Sequence, residues 1–209
     1  MKILIADDHP VVREGLKQII KKLKIFSVLD EADNGNEALN KIELNKYDLI
    51  IMDISMPGKS GLDILKTLKD KNEKQTILML SIHPQEQYAI RALKMGASGY
   101  VCKSSVYEEL AVAIKRILGG EKYISPSLTE RIVFDIKEND KGLLHEKLSE
   151  REFQILFMLA NGKSVNEIAC ELFISNKTVS TYRTRLLQKM GMKKNAELTL
   201  YALHHNLID

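Results

Sequence analysis

Residues 48–58 read DLIIMDISMPG. Four apolar residues, Leu49 to Met52, run straight into Asp53, and the chain then breaks direction at Pro57 and Gly58. A short apolar run bounded by turn residues reads as a strand buried on both faces. Asp53 then stands at the carboxyl end of that strand, the edge at which open α/β sheets keep their ligand sites. An isolated aspartate in such a place is also an ordinary turn former, so the neighbouring segments have to decide.

Those segments alternate in type over residues 2–118. KILIA, FSVLD, LIIMD, TILML and GYVC are short strand-like runs, and between them lie stretches with helical spacing such as Val11, Val12, Leu16, Ile19, Ile20 and Leu23. Five strands alternating with five helices predict a flavodoxin-like, doubly wound parallel sheet with right-handed crossovers. The pattern stops at Gly119-Gly120. SPSLTERIVFDI (125–136) predicts a short helix with Ser125 as N-cap and Pro126 in its first turn, and the polar, aperiodic KENDKGLLHEK (137–147) predicts a tether. From Leu148 the spacing is purely helical, with a capping box at Ser149 and Glu152 and helices near 150–160, 165–172, 176–190 and 195–205. The expected organisation is an α/β domain over 1–120, a linker with a short helix over 121–146, and a small all-α domain over 147–209.

At 209 residues the chain suits one large domain or two modest ones. It has no apolar run long enough to span a bilayer and no charged-then-apolar leader, which predicts a soluble protein with no membrane partner. Cys102 and Cys170 are far apart and neither has a CxxC neighbour, so neither a disulfide framework nor a zinc site is expected, and a reducing cytoplasm fits. Residues 1–146 hold 22 Lys/Arg and 22 Asp/Glu, whereas residues 147–209 hold 9 and 6, so the net charge of +3 lies entirely in the last 63 residues. Between Leu172 and Ala196 the chain carries Lys177, Arg183, Arg185, Lys189, Lys193 and Lys194 and no acid, a pattern that favours an anionic partner.

Strand one ends in Ala6-Asp7-Asp8 and strand three in Asp53, so a doubly wound sheet brings three carboxylates to one edge. Carboxylates this close repel unless a cation joins them, and an oxygen-only ligand set with water suits Mg²⁺. Strands four and five end in Ser81 and Lys103, adding a hydroxyl and an ammonium at the same edge. Carboxylates, a hard cation, a hydroxyl and a lysine form a phosphoryl-transfer constellation in which one carboxylate can be the nucleophile.

ADDHP, MDISMPGKSG, Ser81 and VCK resemble the receiver domain of bacterial two-component response regulators over residues 1 to about 120. The resemblance implies that Asp53 accepts a phosphoryl group from a histidine kinase or phosphotransfer protein. It implies that Asp8, Asp53 and the backbone carbonyl of Ser55 hold Mg²⁺, with Asp7 reaching it through water. Lys103 then contacts the phosphate, Ser81 is the switch hydroxyl and Tyr100 the switch aromatic. Many receivers follow the lysine with proline; here Ser104 stands there. His9 earns no acid-base role from the resemblance, because receivers take the phosphoryl group from a histidine on another protein.

In ANGKSVNEIACELFISNKTVSTYRTRLLQKM (160–190) two helices flank a tight turn. Val165, Ile168, Ala169, Leu172 and Phe173 form one apolar stripe on the first. On the second, Val179, Tyr182, Leu186 and Met190 share an inward arc, while Lys177, Ser180, Thr181, Thr184, Arg185 and Gln188 fall opposite. Short hydroxyls rimmed by bases suit a recognition helix in a major groove. LSEREFQIL, GKSVNEIA and SNKTVSTYRTRLLQKM resemble the LuxR/NarL/FixJ-type helix-turn-helix, the last block being similar to regulators of the BvgA/EvgA type. The resemblance implies that Ser180, Thr181 and Thr184 face bases, with Gln188 beside them, and that Lys177, Thr178, Arg183 and Arg185 meet phosphates of double-stranded DNA. It also implies that the last helix, with Leu198, Tyr201, Ala202 and His205 in one stripe, pairs two such domains in a homodimer. The expected function is a phosphorylation-switched transcription factor. Two rivals stay open on the residues alone: a Mg²⁺-dependent phosphohydrolase with an aspartyl intermediate, and a protein-binding adaptor that never meets DNA.

Overall fold

The computed structural model describes every residue except Asn72, 83–85, 126–127, 130–142, Asn206 and Asp209. The chain divides into two compact units, Met1–Phe134 and Asp135–Asp209. In the first, strands β1 (Lys2–Ala6), β2 (Val28–Ala32), β3 (Leu49–Asp53), β4 (Ile77–Ser81), β5 (Gly99–Cys102) and β6 (Tyr123–Ile124) alternate with helices α1 (Pro10–Leu23), α2 (Gly35–Leu44), α3 (Gly61–Asp70), α4 (Glu86–Lys94) and α5 (Val106–Leu118). The sheet order is β2-β1-β3-β4-β5-β6, all parallel. The order reverses between β1 and β3, which makes their carboxyl ends the topological switch point of the sheet.

The apolar runs form central strands because both faces are covered. Ile3, Ile5, Leu49, Ile51, Leu78, Leu80 and Val101 pack with Leu16 and Ile20 of α1 and Leu110, Ile114 and Ile117 of α5. The alternate residues Leu4, Ile50, Met52 and Met79 are equally buried, as the two-residue strand period requires. Burial of each such side chain stabilises by about 2 kcal/mol.

The sequence expectation of five strands is corrected to six. β6 is only two residues long and lies at the sheet edge beside β5, too short to give a periodic signal. β2 also starts two residues later than FSVLD suggests: Phe26 packs onto the core from outside the sheet, and the strand runs VLDEA with most of its side chains only partly buried. Of the helix expected over 125–136, only Ser125, Leu128 and Thr129 are described, and the Thr129 N–H donates to the Ser125 carbonyl at 2.9 Å. The first part of the expected tether, 137–142, lies outside the described residues. Its last part is structured: Leu144–Lys147 is a 3₁₀ helix, and His145 is fully buried.

The second unit continues with α6 (Glu150–Ala160), α7 (Val165–Glu171), α8 (Asn176–Met190) and α9 (Asn195–His204). α6 opens with the expected capping box: the Ser149 N–H donates to Glu152 Oε2 at 2.8 Å, and the Glu152 N–H returns a bond to Ser149 Oγ. The same Glu152 oxygen pairs with Lys189 Nζ at 2.6 Å, which ties the start of α6 to the end of α8. Lys189 is therefore a structural cation.

Close approach of backbones fixes the loop after β3. A Cβ on Gly61 would stand 2.2 Å from the Asp53 carbonyl oxygen and 3.0 Å from Met79 Cε. Only glycine lets α3 start directly beneath the strand end. Gly61→Ala is expected to destabilise the protein by about 1–3 kcal/mol, as an overpacked site with backbone on one side does, read as a lower urea midpoint with an unchanged slope.

Candidate functional site

The register of β1 against β3 builds the site. Ala6 stands opposite Met52, so Asp7 and Asp53 follow at neighbouring strand ends. Ser81 ends β4 one strand further on, paired with Cys102 of β5, and Lys103 comes next in the chain. The Lys103 N–H donates to the Ser81 carbonyl at 2.7 Å, which pins the base of the lysine to the sheet edge. No cis peptide occurs among the described residues, so Lys103-Ser104 is trans.

The Lys103 ammonium lies 2.7 Å from Asp53 Oδ2 and 2.7 Å from Asp7 Oδ2. Asp53 is 1% exposed and Asp7 0%. One atom each from Asp7, Asp8, His9 and Asp53 falls within 4.8 Å of the others. Burial pushes the Asp53 carboxyl up to about 7, against the opposing pull of Lys103 and with the help of the nearby Asp7 charge. For Lys103 the balance is reversed: burial acts downward, but its two acidic partners outweigh it and raise it. The two directions are consistent because one ammonium serves two carboxylates and cannot neutralise both. Three carboxylates against one lysine leave an excess of negative charge at oxygen ligands, and that donor set fits a hard divalent cation.

Ser81 and Tyr100 are both buried, at 1% exposure each, Ser81 at the end of β4 and Tyr100 within β5 opposite Met79. Ser55 is half-buried in the loop after β3. Sequence reasoning set His9 aside, yet its ring joins the cluster, with Nδ1 2.8 Å from Asp8 Oδ1. Its position next to the two aspartates was the available signal.

In the second unit, Lys177, Ser180, Thr181, Thr184, Arg185 and Gln188 are exposed along one side of α8, while Val179, Leu186, Leu187 and Met190 are buried. The Thr181 and Thr184 hydroxyls donate to the carbonyls of Lys177 and Ser180 at 2.9 and 3.0 Å. With that proton engaged, each threonine offers outward an acceptor oxygen and a methyl group. Two expected phosphate contacts have structural duties as well. Thr178 is half-buried, with its hydroxyl 2.8 Å from that of Ser175, the N-cap, and the half-buried Arg183 donates from Nε to Asn195 Oδ1 at 2.7 Å. Of the stripe Leu198, Tyr201, Ala202 and His205, Leu198 and Ala202 are fully buried in their own unit, and Tyr201 Oη lies 3.0 Å from His145 Nδ1. The exposed large apolar side chains of α9 are Leu200 and Leu203.

Residues 3–115 match the response regulator receiver domain family, and residues 146–202 match the bacterial regulatory proteins of the luxR family. The chain belongs to the two-component response regulators that join a receiver to a LuxR-type regulatory domain, a family of transcription regulators. Among individual proteins it is 38% identical to the oxygen regulatory protein NreC of Staphylococcus carnosus (strain TM300), across 100% of both chains. It is 33% identical to the response regulator UvrY of Escherichia coli (strain K12), across 99% of this chain and 95% of that one. A solved structure of RcsB from Salmonella enterica serovar Typhimurium, bound to promoter rprA in the presence of phosphomimetic BeF₃⁻, is 25% identical and covers 96% of this chain and 97% of that one, with a TM-score of 0.64. No helix among the described residues is long and apolar enough to cross a membrane.

Removing the shared ammonium leaves Asp7 and Asp53 buried without a cation. Lys103→Met is expected to cost about 3 kcal/mol at pH 8. Asp53 already has a raised folded pKa, near 7; loss of Lys103 raises it further, so the added penalty appears as pH rises through 7 and shrinks below it, where the folded state keeps its proton. Urea melts of wild type and variant at pH 5.5 and pH 8 check this, the gap between them being wider at pH 8.

Proposed function

We propose that this protein is a cytoplasmic transcription factor switched by phosphorylation of Asp53. The observation that carries the reading is the buried Asp53 carboxylate at the end of β3 with the Lys103 ammonium 2.7 Å away. An Asp53 oxygen attacks the phosphorus of a phosphohistidine on a histidine kinase or phosphotransfer protein, the P–N bond breaks, and the electron pair leaves with the imidazole. Lys103 balances charge on the phosphoryl oxygens, and the apolar strands beneath Asp53 hold it rigid for in-line approach. Asp8, Asp53 and the Ser55 carbonyl would hold Mg²⁺, with Asp7 assisting through water. When bound, Mg²⁺ supplies positive charge to the transferring group. The receiver acts on its own phosphoryl group only, in accepting it and in its hydrolysis.

Ser81 and Tyr100 read the new group. Both are buried, Ser81 at the end of β4 and Tyr100 within β5, so a hydroxyl drawn to a phosphoryl oxygen and an aromatic repacked behind it shift the receiver between two packings, with a coupling of about 1–3 kcal/mol typical of such switches. The output is binding of double-stranded DNA as a homodimer. The exposed side of α8 enters the major groove, with Ser180, Thr181, Thr184 and Gln188 toward bases and Lys177, Thr178, Arg183 and Arg185 toward phosphates. The likeness to RcsB on a promoter supports this reading. A dimer sets its two helices on half-sites one helical turn apart or a multiple of it.

Incubation with Mg²⁺ and acetyl phosphate is expected to add one phosphoryl mass to wild type and none to Asp53→Asn, by intact mass spectrometry. An equal adduct on both would place the acceptor elsewhere. Duplex binding is expected to fall about a thousandfold between roughly 50 and 200 mM salt, and Arg185→Ala, which removes one cation from each protomer of the dimer, is expected to lower the slope of log affinity against log salt by about two. Salt-insensitive binding would point to a protein partner in place of DNA.

A further inference from the structure

The loop that carries Ser55 is held by the start of α2. Asn34 caps that helix, its side-chain oxygen accepting from the Glu37 N–H at 2.9 Å, so Gly35 is the first helical residue. An N–H in the first turn of a helix has no partner within the helix. That of Gly35 donates to the Pro57 carbonyl at 3.0 Å. The two backbones also meet at the shortest distance sterics permit. A Cβ on Gly35 would stand 1.8 Å from the Lys59 carbonyl oxygen, 2.7 Å from the carbonyl carbon and 3.1 Å from Lys59 Cα. All three atoms are backbone, so no side-chain rotation makes room. Next to it the Asn36 amide lies against Gly58, whose backbone is left-handed at φ +78°.

At its other end the loop is fastened to β3. The Gly61 N–H donates to the Ile54 carbonyl at 2.9 Å, and Ile54 and Met56 are buried on either side of Ser55. The loop is held at Pro57 to Lys59 by a helix and at Ile54 by the strand end, and Ser55 lies between the two attachments.

We infer that Gly35, with Asn36 beside it, positions this loop: the bare start of α2 sets where the Ser55 carbonyl stands, and through it the affinity of the carboxylate site for a divalent cation. The inference rests on the reading of Asp8, Asp53 and the Ser55 carbonyl as ligands of Mg²⁺. Mg²⁺ demands near-ideal octahedral geometry, so a ligand moved by a fraction of its bond length is a ligand weakened. A methyl group at position 35 has to displace the Lys59 backbone, and with it the Pro57 carbonyl that Gly35 holds. Loss of a group that orients a metal ligand costs roughly ten- to a hundredfold in affinity. The plainer role for Gly35 is to let α2 pack close to the loop; that role predicts lost stability and an unchanged cation affinity.

Titration calorimetry of the full-length protein with Mg²⁺ tests it, with Gly99→Ala as a control for stability. Gly99 begins β5, and a Cβ there would also meet backbone, 2.8 Å from the Tyr123 carbonyl oxygen. Both variants are expected to lower the urea midpoint, while Gly35→Ala alone raises the Mg²⁺ dissociation constant, by about tenfold. Asn36→Ala removes an exposed amide from the second helical position without a clash. It is expected to weaken Mg²⁺ binding by a smaller factor, and it decides the matter if Gly35→Ala does not fold. An unchanged dissociation constant in Gly35→Ala, or in Asn36→Ala where that variant decides, overturns the positioning role and leaves the cation site standing. An equal loss of affinity in Gly99→Ala does the same. Failure of wild type to bind Mg²⁺ more tightly than Asp53→Asn overturns the cation site and the inference with it.

Discussion

One ammonium shared by two buried carboxylates is the interaction on which the receiver turns. Asp7 follows the apolar run of β1 and Asp53 ends that of the adjacent β3, and both carboxylates are buried. Lys103 comes to them from the end of β5, two strands from β3 and three from β1, 2.7 Å from each. Burial raises Asp53 and the lysine restrains that rise, which leaves the carboxyl titrating near neutrality. A site held in this balance responds strongly to any added charge, and that is the physical opening for a switch driven by a phosphoryl group. The packing beneath it is tight, down to Gly61, where a Cβ would meet the Asp53 carbonyl.

The second unit uses charge differently. Its acid-free run does not deliver six equivalent bases to a ligand. Lys189 is bound to Glu152, and Arg183 braces the start of α9 through Asn195. What remains outward on α8 is Lys177 and Arg185 flanking short hydroxyls. The protons of Thr181 and Thr184 are already given to the helix, so these two present acceptors and methyl groups, beside Ser180 and Gln188 and between two cations.

The strands that carry the chemistry were legible because they are buried on both sides: LIIMD has no residue that any other arrangement would hide. The same criterion failed where burial was partial or came from elsewhere. β2 lies at the sheet edge with most of its side chains half-buried, and its start was misread by two residues. β6 is two residues that pair only because β5 offers an edge. His145, in a run that reads as polar tether, is fully buried beside Phe153, Tyr201 and His205. That burial also explains the last helix. In its stripe, Leu198 and Ala202 complete the core of their own unit.

The sequence by itself determined the order and type of the elements, the ends of the central strands and hence which side chains share an edge, because two-residue and 3.6-residue periods are local properties of the chain. It also determined which side of α8 is outward, since one apolar arc admits one orientation. Only the tertiary structure decided the rest. Which carboxylates share the lysine, how far burial moves Asp53, that His9 closes over the cluster, and which bases are engaged within the fold all depend on distances across strands and helices remote in sequence. Such distances are set by register and packing, and no local pattern encodes them.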